Sequence, residues 1–267
     1  MDYQLHHHIL VWMEEAAEAL RESHSRKLQV DEKKDASDLV TEMDKATEKF
    51  FTEKIRQFYP EHRIIGEEGI SGPVNDTNGM IWVIDPIDGT LNFVKQKNNF
   101  GIMIGLFNNG KPVAGYIYDV MQHDLYYGIV GEGMYLNNKP LKPLPVGPLN
   151  DSLIMGNVGM FSRNQNNCQS LLATVLGARA HGSAALEVIQ VLRGEASLYL
   201  SFGLHPWDFA AGYAICEAGG IICTQADGSP LSILEKSPVL FAHPSVYKEA
   251  VKILNNPTEI GEINEYA

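Results

Sequence analysis

The segment that most constrains the fold is a short apolar run that ends in two carboxylates. Residues 80–84, Met-Ile-Trp-Val-Ile, are apolar and bounded by turn signals, which predicts a buried strand. Asp85-Pro-Ile-Asp88-Gly-Thr90 follows without a break. Because Pro86 fixes its own φ and Gly89 accepts backbone angles that other residues resist, this turn can aim both acids in one direction. An ordinary turn with capping aspartates explains the spacing equally well.

Three other acidic segments stand at predicted strand ends or helix starts. They are Gly66-Glu67-Glu68-Gly69, Asp38-Leu-Val-Thr41-Glu-Met-Asp44 and His205-Pro206-Trp207-Asp208. Each has a structural explanation of its own: adjacent glutamates usually face solvent, Thr41 and Asp44 have the spacing of a helix capping box, and the helix dipole favours an acid at Asp208. These explanations do not account for their recurrence at the places where α/β proteins bind ligands.

A cluster of these acids would require a cation. Two carboxylates about 4 Å apart repel by about 4 kcal/mol at an effective dielectric constant near 20, so several of them cannot stay ionised together unaided. Oxygen ligands select a hard ion, Mg²⁺ before Zn²⁺. Paired Mg²⁺ ions hold the attacking and leaving oxygens in phosphoryl transfer, and they allow an acidic protein to bind an anionic substrate. The acids therefore predict a metal-assisted phosphate enzyme.

The composition is that of an ordinary globular chain and argues against several other classes. The 267 residues carry 21 Lys and Arg against 33 Asp and Glu, a net charge of −12, which argues against binding to nucleic acid or to a membrane surface. The three cysteines form no CxxC pair and no disulfide framework, which fits a reducing cytoplasm. No apolar stretch is long enough to span a bilayer, and the N-terminal residues predict an amphipathic helix rather than a signal peptide.

The order of the predicted elements divides the chain near residue 140. Helices, strands and an antiparallel meander come first, and after the Pro-rich stretch 140–148 strands alternate with helices. We therefore predict an N-terminal α+β half, residues 1–140, with most of the metal ligands, and a C-terminal α/β half, residues 141–267, with Asp208 and the substrate segment. Residues 23–38 are polar and unpatterned and predict a mobile connection.

The predicted element boundaries follow from periodicity and turn signals. The predicted helices are 5–22, a second helix that ends at Tyr59-Pro60, 164–175, 184–193, 207–219 and 244–254, and the predicted strands are 63–66, 80–84, 101–107, 113–119, 125–130, 152–157, 197–200 and 220–224.

Taken in order along the chain, the acidic motifs resemble the inositol monophosphatase family. The resemblance rests on Asp85-Pro-Ile-Asp88-Gly-Thr90 with Asn92-Phe93, Gly66-Glu67-Glu68, Asp38-Leu-Val-Thr41 with Asp44, and Trp207-Asp208, and it spans most of the chain. It implies a layered αβαβα sandwich, shared with fructose-1,6-bisphosphatases and commonly dimeric. It also implies Mg²⁺-dependent, Li⁺-inhibited hydrolysis of a phosphate monoester.

The resemblance implies a set of metal ligands at the matching positions. Glu67, Asp85 and the carbonyl of Ile87 would hold one Mg²⁺, Asp85, Asp88 and Asp208 would hold a second, and a third, weaker ion would lie near Glu67.

The catalytic residues implied in the same way are Glu67, Asp44 and Thr90. Thr90, hydrogen-bonded to Asp44, would orient the attacking water. The Gly89 and Thr90 amides, beside Asp88, would bind phosphate at a helix start. Lys33 would belong to a loop over the site.

The substrate is less narrowly defined by these motifs. Gly182-Ser183-Ala184 matches the segment that contacts substrate in this family, although a Gly-Ser helix start is also common. Inositol enzymes of the family often have a glutamate seven residues before the helix aspartate, and here that position is Ser201, which has no charge and less reach. Inositol 1-phosphate is the favoured substrate; fructose 1,6-bisphosphate, NADP, another nucleotide phosphate and histidinol phosphate remain open.

Two further classes of function compete with this prediction. A non-catalytic protein that binds metal or polyol phosphate would be favoured by loss of Glu67, Asp85, Asp88, Asp208 or Thr90, and all five are present. A dinucleotide-dependent oxidoreductase lacks its main support, because no GxGxxG motif follows a predicted strand.

Overall fold

The computed structural model describes residues 1–25, 29–32 and 39–256. Within these ranges the chain forms eight α-helices and fourteen strands. The helices are α1 (Tyr3–Ser23), α2 (Glu42–Phe58), α3 (Thr90–Lys95), α4 (Val158–Ser162), α5 (Cys168–Thr174), α6 (Ala184–Leu192), α7 (Pro206–Gly219) and α8 (Pro244–Asn255). The strands are β1 (Val30–Glu32), β2 (Leu39–Thr41), β3 (Arg63–Gly66), β4 (Met80–Asp88), β5 (Gly101–Asn108), β6 (Lys111–Asp119), β7 (Asp124–Ile129), β8 (Gly133–Leu136), β9 (Lys139–Pro140), β10 (Leu153–Gly156), β11 (Gly177–Arg179), β12 (Leu198–Leu204), β13 (Ile222–Gln225) and β14 (Ser237–Ala242).

The described elements stack in five layers around two large sheets. The first sheet has the order β3-β4-β5-β6-β7-β8-β9, and the second has the order β11-β10-β12-β14-β13. Helices α1 and α2 cover the outer face of the first sheet, α6 and α7 lie between the sheets, and α5 and α8 cover the outer face of the second. This arrangement confirms the predicted αβαβα sandwich.

Strand β5 shows how the sequence divides its side chains between two layers. Ile102, Ile104 and Leu106 join the core under α1 and α2, whereas Met103 joins the core with α6 and α7. This division follows from the two-residue period of a strand, because successive side chains point to opposite faces. Both faces are covered, so the strand is apolar from Gly101 to Phe107 rather than alternating with polar residues, and only the exposed Asn108 at its end is polar.

Helix α7 packs unusually closely on the first sheet because three glycines lie beneath it. A Cβ atom on Gly105 would lie 2.9 Å from the backbone of Ala210, and one on Gly115 would lie 2.1 Å from the carbonyl oxygen of Ala211. A Cβ on Gly128 would lie 2.7 Å from Cα of Ile215. These glycines, which we call the glycine track, admit the helix backbone and thereby set how closely α7 lies on the sheet.

The structure differs from the predicted boundaries at several elements. Strand β4 does not end at Ile84 but continues to Asp88. The predicted helix 164–175 is broken, because Asn164, Asn166 and Asn167 have left-handed φ values of 49°, 48° and 60°, and α5 begins only at Cys168. Strands β1, β2, β8, β9, β11 and β14 and helices α3 and α4 are absent from the predicted boundaries.

The segment 23–38 also differs from its prediction where it is described. Val30–Glu32 forms strand β1, which pairs antiparallel with β2. Lys33 and Asp38, expected near the site, lie outside the described residues. Among the helices that the structure describes, none combines the length and apolar character needed to cross a membrane.

Candidate active site

The first pair of acids meets because β3 and β4 run parallel. Gly66 pairs with Ile84, and the Glu67 amide donates to the Ile84 carbonyl at 3.3 Å. Glu67 therefore follows the end of β3 beside Asp85, and the two side chains share a hydrogen bond. The carboxyl ends of parallel neighbours lie at the same edge of a sheet, which explains why acids far apart in sequence approach here.

A β-bulge aims Asp85 and Asp88 toward the same side of the sheet. Asp85 pairs with Met103 and Asp88 pairs with Gly101, so three steps along β4 match two steps along β5. In a regular strand, residues three apart face opposite sides, and the extra residue reverses this. The Ile87 amide donates to Asp85 Oδ1 at 3.0 Å and stabilises the bulge.

Asp208 reaches the same place from the first turn of α7. One of its oxygens, Oδ2, accepts the His205 amide at 2.7 Å and caps the helix. Asp85, Asp88 and Asp208 each offer a carboxylate oxygen, and these three oxygens lie within 4.8 Å of one another. Three segments remote in sequence thus form one cluster of oxygen donors.

The electrostatics of the cluster favour a cation. Burial raises the pKa of Asp85 well above its ordinary value, and the nearby charges of Glu67, Asp88 and Asp208 raise it further. Burial, followed by the charge of Asp88, raises the pKa of Asp208 to about 8. Carboxylates so placed are fully ionised only when positive charge compensates them, and their all-oxygen donor set suits a hard ion such as Mg²⁺.

Thr90 and Asp44 are hydrogen-bonded at the edge of this cluster. Thr90 Oγ1 lies 3.1 Å from Asp44 Oδ1 and 3.1 Å from the Ile87 carbonyl oxygen. The other Asp44 oxygen, Oδ2, accepts from the Thr41 amide at 2.7 Å and the Thr41 hydroxyl at 2.6 Å. Asp44 therefore caps α2 with one oxygen and contacts Thr90 with the other, so the capping role leaves the second oxygen to the Thr90 hydroxyl.

Gly89 links the bulge to α3 in a conformation that favours glycine. Its φ is +89°, and an added Cβ would lie 3.1 Å from Cβ of Ser183 and 3.3 Å from the Asn99 carbonyl oxygen. Thr90 then begins α3, whose first amides have no partner within the helix. Gly89 is thus constrained both by backbone angle and by crowding.

The predicted substrate segment lies on the opposite wall of a polar cavity. Ser183 caps α6, and its hydroxyl donates to Asp88 Oδ2, which also accepts the Ala185 amide at 2.8 Å. The cavity measures about 230 Å³ and is lined by Gly182, Ser183, Ala184 and Ser201 together with Asp88 and Asp208. The structure therefore brings the predicted segment 182–184 and Ser201 to the same space as two of the clustered acids. Gly89 and Thr90, also predicted to contact substrate, are not among the described residues that line this cavity.

Comparison with known proteins agrees with this geometry. Residues 6–258 match the family model described as the inositol monophosphatase family. The chain belongs to the inositol monophosphatase family.

Individual members of the family are similar over nearly the whole chain. The inositol-1-monophosphatase of Bacillus subtilis is 40% identical over 241 residues, which cover 89% of this chain and 91% of the relative. A staphylococcal inositol monophosphatase solved with inositol monophosphate bound is 35% identical, with a TM-score of 0.84 over 93% of this chain and 92% of that one. A structure described as an IMPase/NADP phosphatase with Mg²⁺ and phosphate is 27% identical, with a TM-score of 0.87 over 98% of each chain.

Family membership establishes the class of reaction. Inositol monophosphatases are metal-dependent phosphatases that hydrolyse phosphate monoesters, and this chain is a phosphomonoesterase. The acidic cluster of Asp85, Asp88 and Asp208 is the place in the described residues where a metal ion could bind.

Two buried side chains that support the site were not predicted. Glu48 accepts the Glu68 amide at 2.6 Å and the Ile70 amide at 2.9 Å, and so holds the loop that carries Glu67. Asn92 donates to the carbonyls of His181 and Asn99, both at 2.8 Å, and joins α3 to the substrate segment. Glu48 lies one helical turn after Asp44, on the same face of α2. This four-residue spacing is the sequence signal that could have placed Glu48 near the site.

Proposed function

We propose that this inositol monophosphatase family member is a Mg²⁺-dependent phosphatase that acts on inositol 1-phosphate. The observation that carries the proposal is the convergence of Asp85, Asp88 and Asp208 within 4.8 Å, beside a polar cavity large enough for a small ester. The similarity to an inositol-1-monophosphatase and to a structure with inositol monophosphate bound supports the choice of substrate.

The proposed ligand sets are those that the family resemblance implies. Glu67, Asp85 and the Ile87 carbonyl would hold one Mg²⁺, Asp85, Asp88 and Asp208 would hold a second, and a third, weaker ion would lie near Glu67. The grouping of Asp85, Asp88 and Asp208 supports the second set. When bound, Mg²⁺ neutralises the carboxylates, lowers the pKa of water and stabilises the charge that develops on the phosphoryl oxygens. The relative described with Mg²⁺ and phosphate supports this choice of ion.

The chain's own groups orient the attack. Thr90 accepts a hydrogen bond from the attacking water, since its own hydroxyl proton is directed to Asp44 or to the Ile87 carbonyl. This pair fixes the direction of the water's lone pair toward phosphorus, in line with the leaving alcohol. The Gly89 and Thr90 amides at the start of α3 bind the phosphate oxygens.

The leaving alcohol occupies the cavity between the bulge and α6. Gly182, Ser183, Ala184 and Ser201 line that space, with Asp88 at its base. The short, neutral Ser201 allows esters other than inositol phosphate, and the relative described as an IMPase/NADP phosphatase favours NADP as the first alternative.

Phosphate release across a panel of esters tests the proposal. The panel is inositol 1-phosphate, fructose 1,6-bisphosphate, NADP and adenosine 3′,5′-bisphosphate, each with Mg²⁺, with EDTA, and with Mg²⁺ plus Li⁺. We expect Mg²⁺-dependent release that is fastest from inositol 1-phosphate. Faster release from another ester would show that this ester, and not inositol 1-phosphate, is the preferred substrate. If the protein binds Mg²⁺ but releases phosphate from no ester, a non-catalytic binding protein would be favoured.

Two properties implied by the family accompany this proposal, inhibition by Li⁺ and a homodimeric assembly. A cytoplasmic location is proposed from the cysteine usage. The proposed partner is a small phosphate ester rather than nucleic acid or a membrane. The acidic net charge of −12 supports the last point. Li⁺ titration and light scattering on the purified chain test the first two.

A further inference from the structure

The cavity beside the clustered acids contains one carboxylate that the proposed reaction does not use. Its described lining residues include Asp88 and Asp208, which are assigned to metal, and Glu187 from α6. The wall formed by β12 contributes Tyr199, Ser201 and Leu204, whose only side-chain polar groups are two hydroxyls. Glu187 is therefore the one carboxylate among the described lining residues that is left for a substrate.

The side chain of Glu187 is held rigidly at the cavity wall. It is only 4% exposed, and its Oε1 accepts the His181 amide at 3.0 Å and the Gly182 amide at 3.2 Å. These bonds tie the carboxylate to the loop that precedes Ser183. Because α6 and this loop both anchor it, the group is pre-organised and loses little side-chain entropy when a ligand binds.

The second oxygen of Glu187 remains available. Within the described residues Oε2 has no protein hydrogen-bond partner. It is also not a buried atom, since the only buried side-chain nitrogen or oxygen without a partner in these residues is His24 Nε2. A carboxylate oxygen without a protein donor, open to a polar cavity, accepts hydrogen bonds from whatever the cavity holds.

We propose that Glu187 is a specificity-determining residue whose Oε2 accepts a hydrogen bond from a hydroxyl group of the leaving alcohol. A polyol supplies such donors, whereas an aryl leaving group without hydroxyls supplies none. Glu187 thereby provides, from α6, the carboxyl acceptor that the opposite wall lacks at Ser201. Burial raises the pKa of Glu187 to about 7, so the KM values are compared at pH 8, where the group is mostly ionised. This inference rests on the proposed function for the place of the leaving alcohol.

Glu187→Gln separates this role from a structural one. The glutamine carbonyl can still accept the His181 and Gly182 amides, while its NH₂ group replaces Oε2 and cannot accept a substrate hydroxyl. We expect KM for inositol 1-phosphate to rise about tenfold more than KM for 4-nitrophenyl phosphate, as for loss of a hydrogen bond to a charged acceptor. Glu187→Asp, which keeps the charge but withdraws it by one methylene group, should show the same substrate-dependent split.

The controls make each result interpretable. Glu217→Gln removes an exposed glutamate on α7 and should leave the ratio of the two KM values at the wild-type level. Equal effects of Glu187→Gln on both esters, or no effect on either, would overturn the inference. Failure of inositol 1-phosphate as a substrate would already be visible in the wild type, and the KM comparison would then use the hydroxyl-bearing ester that the wild type hydrolyses fastest.

Discussion

At the scale of single residues, the site uses carboxylates that serve two purposes. Asp44 and Asp208 both occupy the third position of a helix and cap it with Oδ2. The capping bond fixes the rotamer of each side chain, so the remaining oxygen is aimed without further support. A residue at such a position can therefore both cap a helix and act in the site. Both the stability and the activity of its variants must be measured to separate the two roles.

Asp44→Ala is expected to reduce both properties. Loss of the α2 cap should cost about 1 kcal/mol in the free energy of unfolding, and loss of the Thr90 contact should lower kcat by about 100-fold or more. Thr41→Ala is the matched control, because it removes the capping hydroxyl while Asp44 Oδ1 still contacts Thr90. If the two variants lose similar stability and both keep full turnover, Asp44 acts only as a cap.

Asp88→Asn is expected to remove nearly all turnover from a protein that still folds. The asparagine carbonyl can accept the Ala185 amide as Asp88 Oδ2 does, but the charge offered to a cation is lost. Phosphate release should fall by about 100-fold or more, and the Mg²⁺ concentration for half-maximal rate should rise. Calorimetric titration of Mg²⁺ into both proteins provides the measurement. Unchanged Mg²⁺ binding would exclude Asp88 from the ligand set.

At the scale of elements, two irregularities do what regular structure cannot. The bulge in β4 brings acids at odd spacing to one side, and the left-handed Gly89 turns the chain at once into α3. Bulges next to active sites commonly re-aim side chains in this way. The parallel pairing of β3 and β4 then adds Glu67 without any further device.

Gly89→Ala tests the left-handed residue that joins β4 to α3, and Gly131→Ala, at a glycine with a similar φ, is the control. Gly131 has a φ of +87° but nothing within 4 Å of an added Cβ, whereas Gly89 would meet Ser183 and Asn99. Both alanine variants should lose roughly 1 kcal/mol of stability from left-handed strain. Only Gly89→Ala should also lower turnover, since the Ser183 contact to Asp88 must shift. Thermal unfolding and phosphate release measure both effects, and equal turnover in the two variants would contradict the prediction.

At the scale of the whole molecule, the acidic cluster couples stability to pH and metal. Asp208 has a pKa of about 8 in the folded, metal-free state, against about 4 in the unfolded chain. Between these values the folded state binds the proton more tightly, so the free energy of unfolding falls as pH rises. Mg²⁺ replaces the proton, and its stabilising effect should therefore be larger at pH 8 than at pH 5.5.

Melting temperatures with EDTA and with Mg²⁺ across this pH range check the prediction. Asp208→Asn is the control, because the amide does not titrate and the wild-type minus variant difference isolates this group. The difference in the EDTA series should decline from about pH 4 to about pH 8. A difference that grows with pH, or that does not respond to pH, would contradict the assignment of a raised pKa.

Much of the fold and the acidic motifs could be predicted from local sequence, because helix caps, strand periods and turn residues are local signals. Asp85, Asp88, Glu67 and Asp208 were identified by such signals. Strands β11 and β14 were missed because their pairing is long-range and their residues carry no clear period. Glu187 was missed because its role depends on a cavity between α6 and β12, which no local pattern contains.

The division of the chain at residue 140 remains a proposal with a structural complication. The two large sheets fall on either side of Pro140, yet α6 and α7 from the second half pack against the first sheet. We propose residues 1–140 and 141–267 as halves of one cooperative unit, because the inner face of the first sheet is covered by α6 and α7, which belong to the second half. A single unfolding transition for both halves would support this.

The glycine track under α7 links the position of one acid of the cluster to residues that carry no functional group. Asp208 lies on α7, and the close approach of α7 to the sheet depends on Gly105, Gly115 and Gly128. A larger residue at any of these glycines should shift the helix and so move the Asp208 carboxylate relative to Asp85 and Asp88. A laboratory selection for altered ion preference would then recover changes at these core glycines as well as at the acids. We expect ion selectivity in this chain to depend in part on how closely the α7 backbone approaches the first sheet.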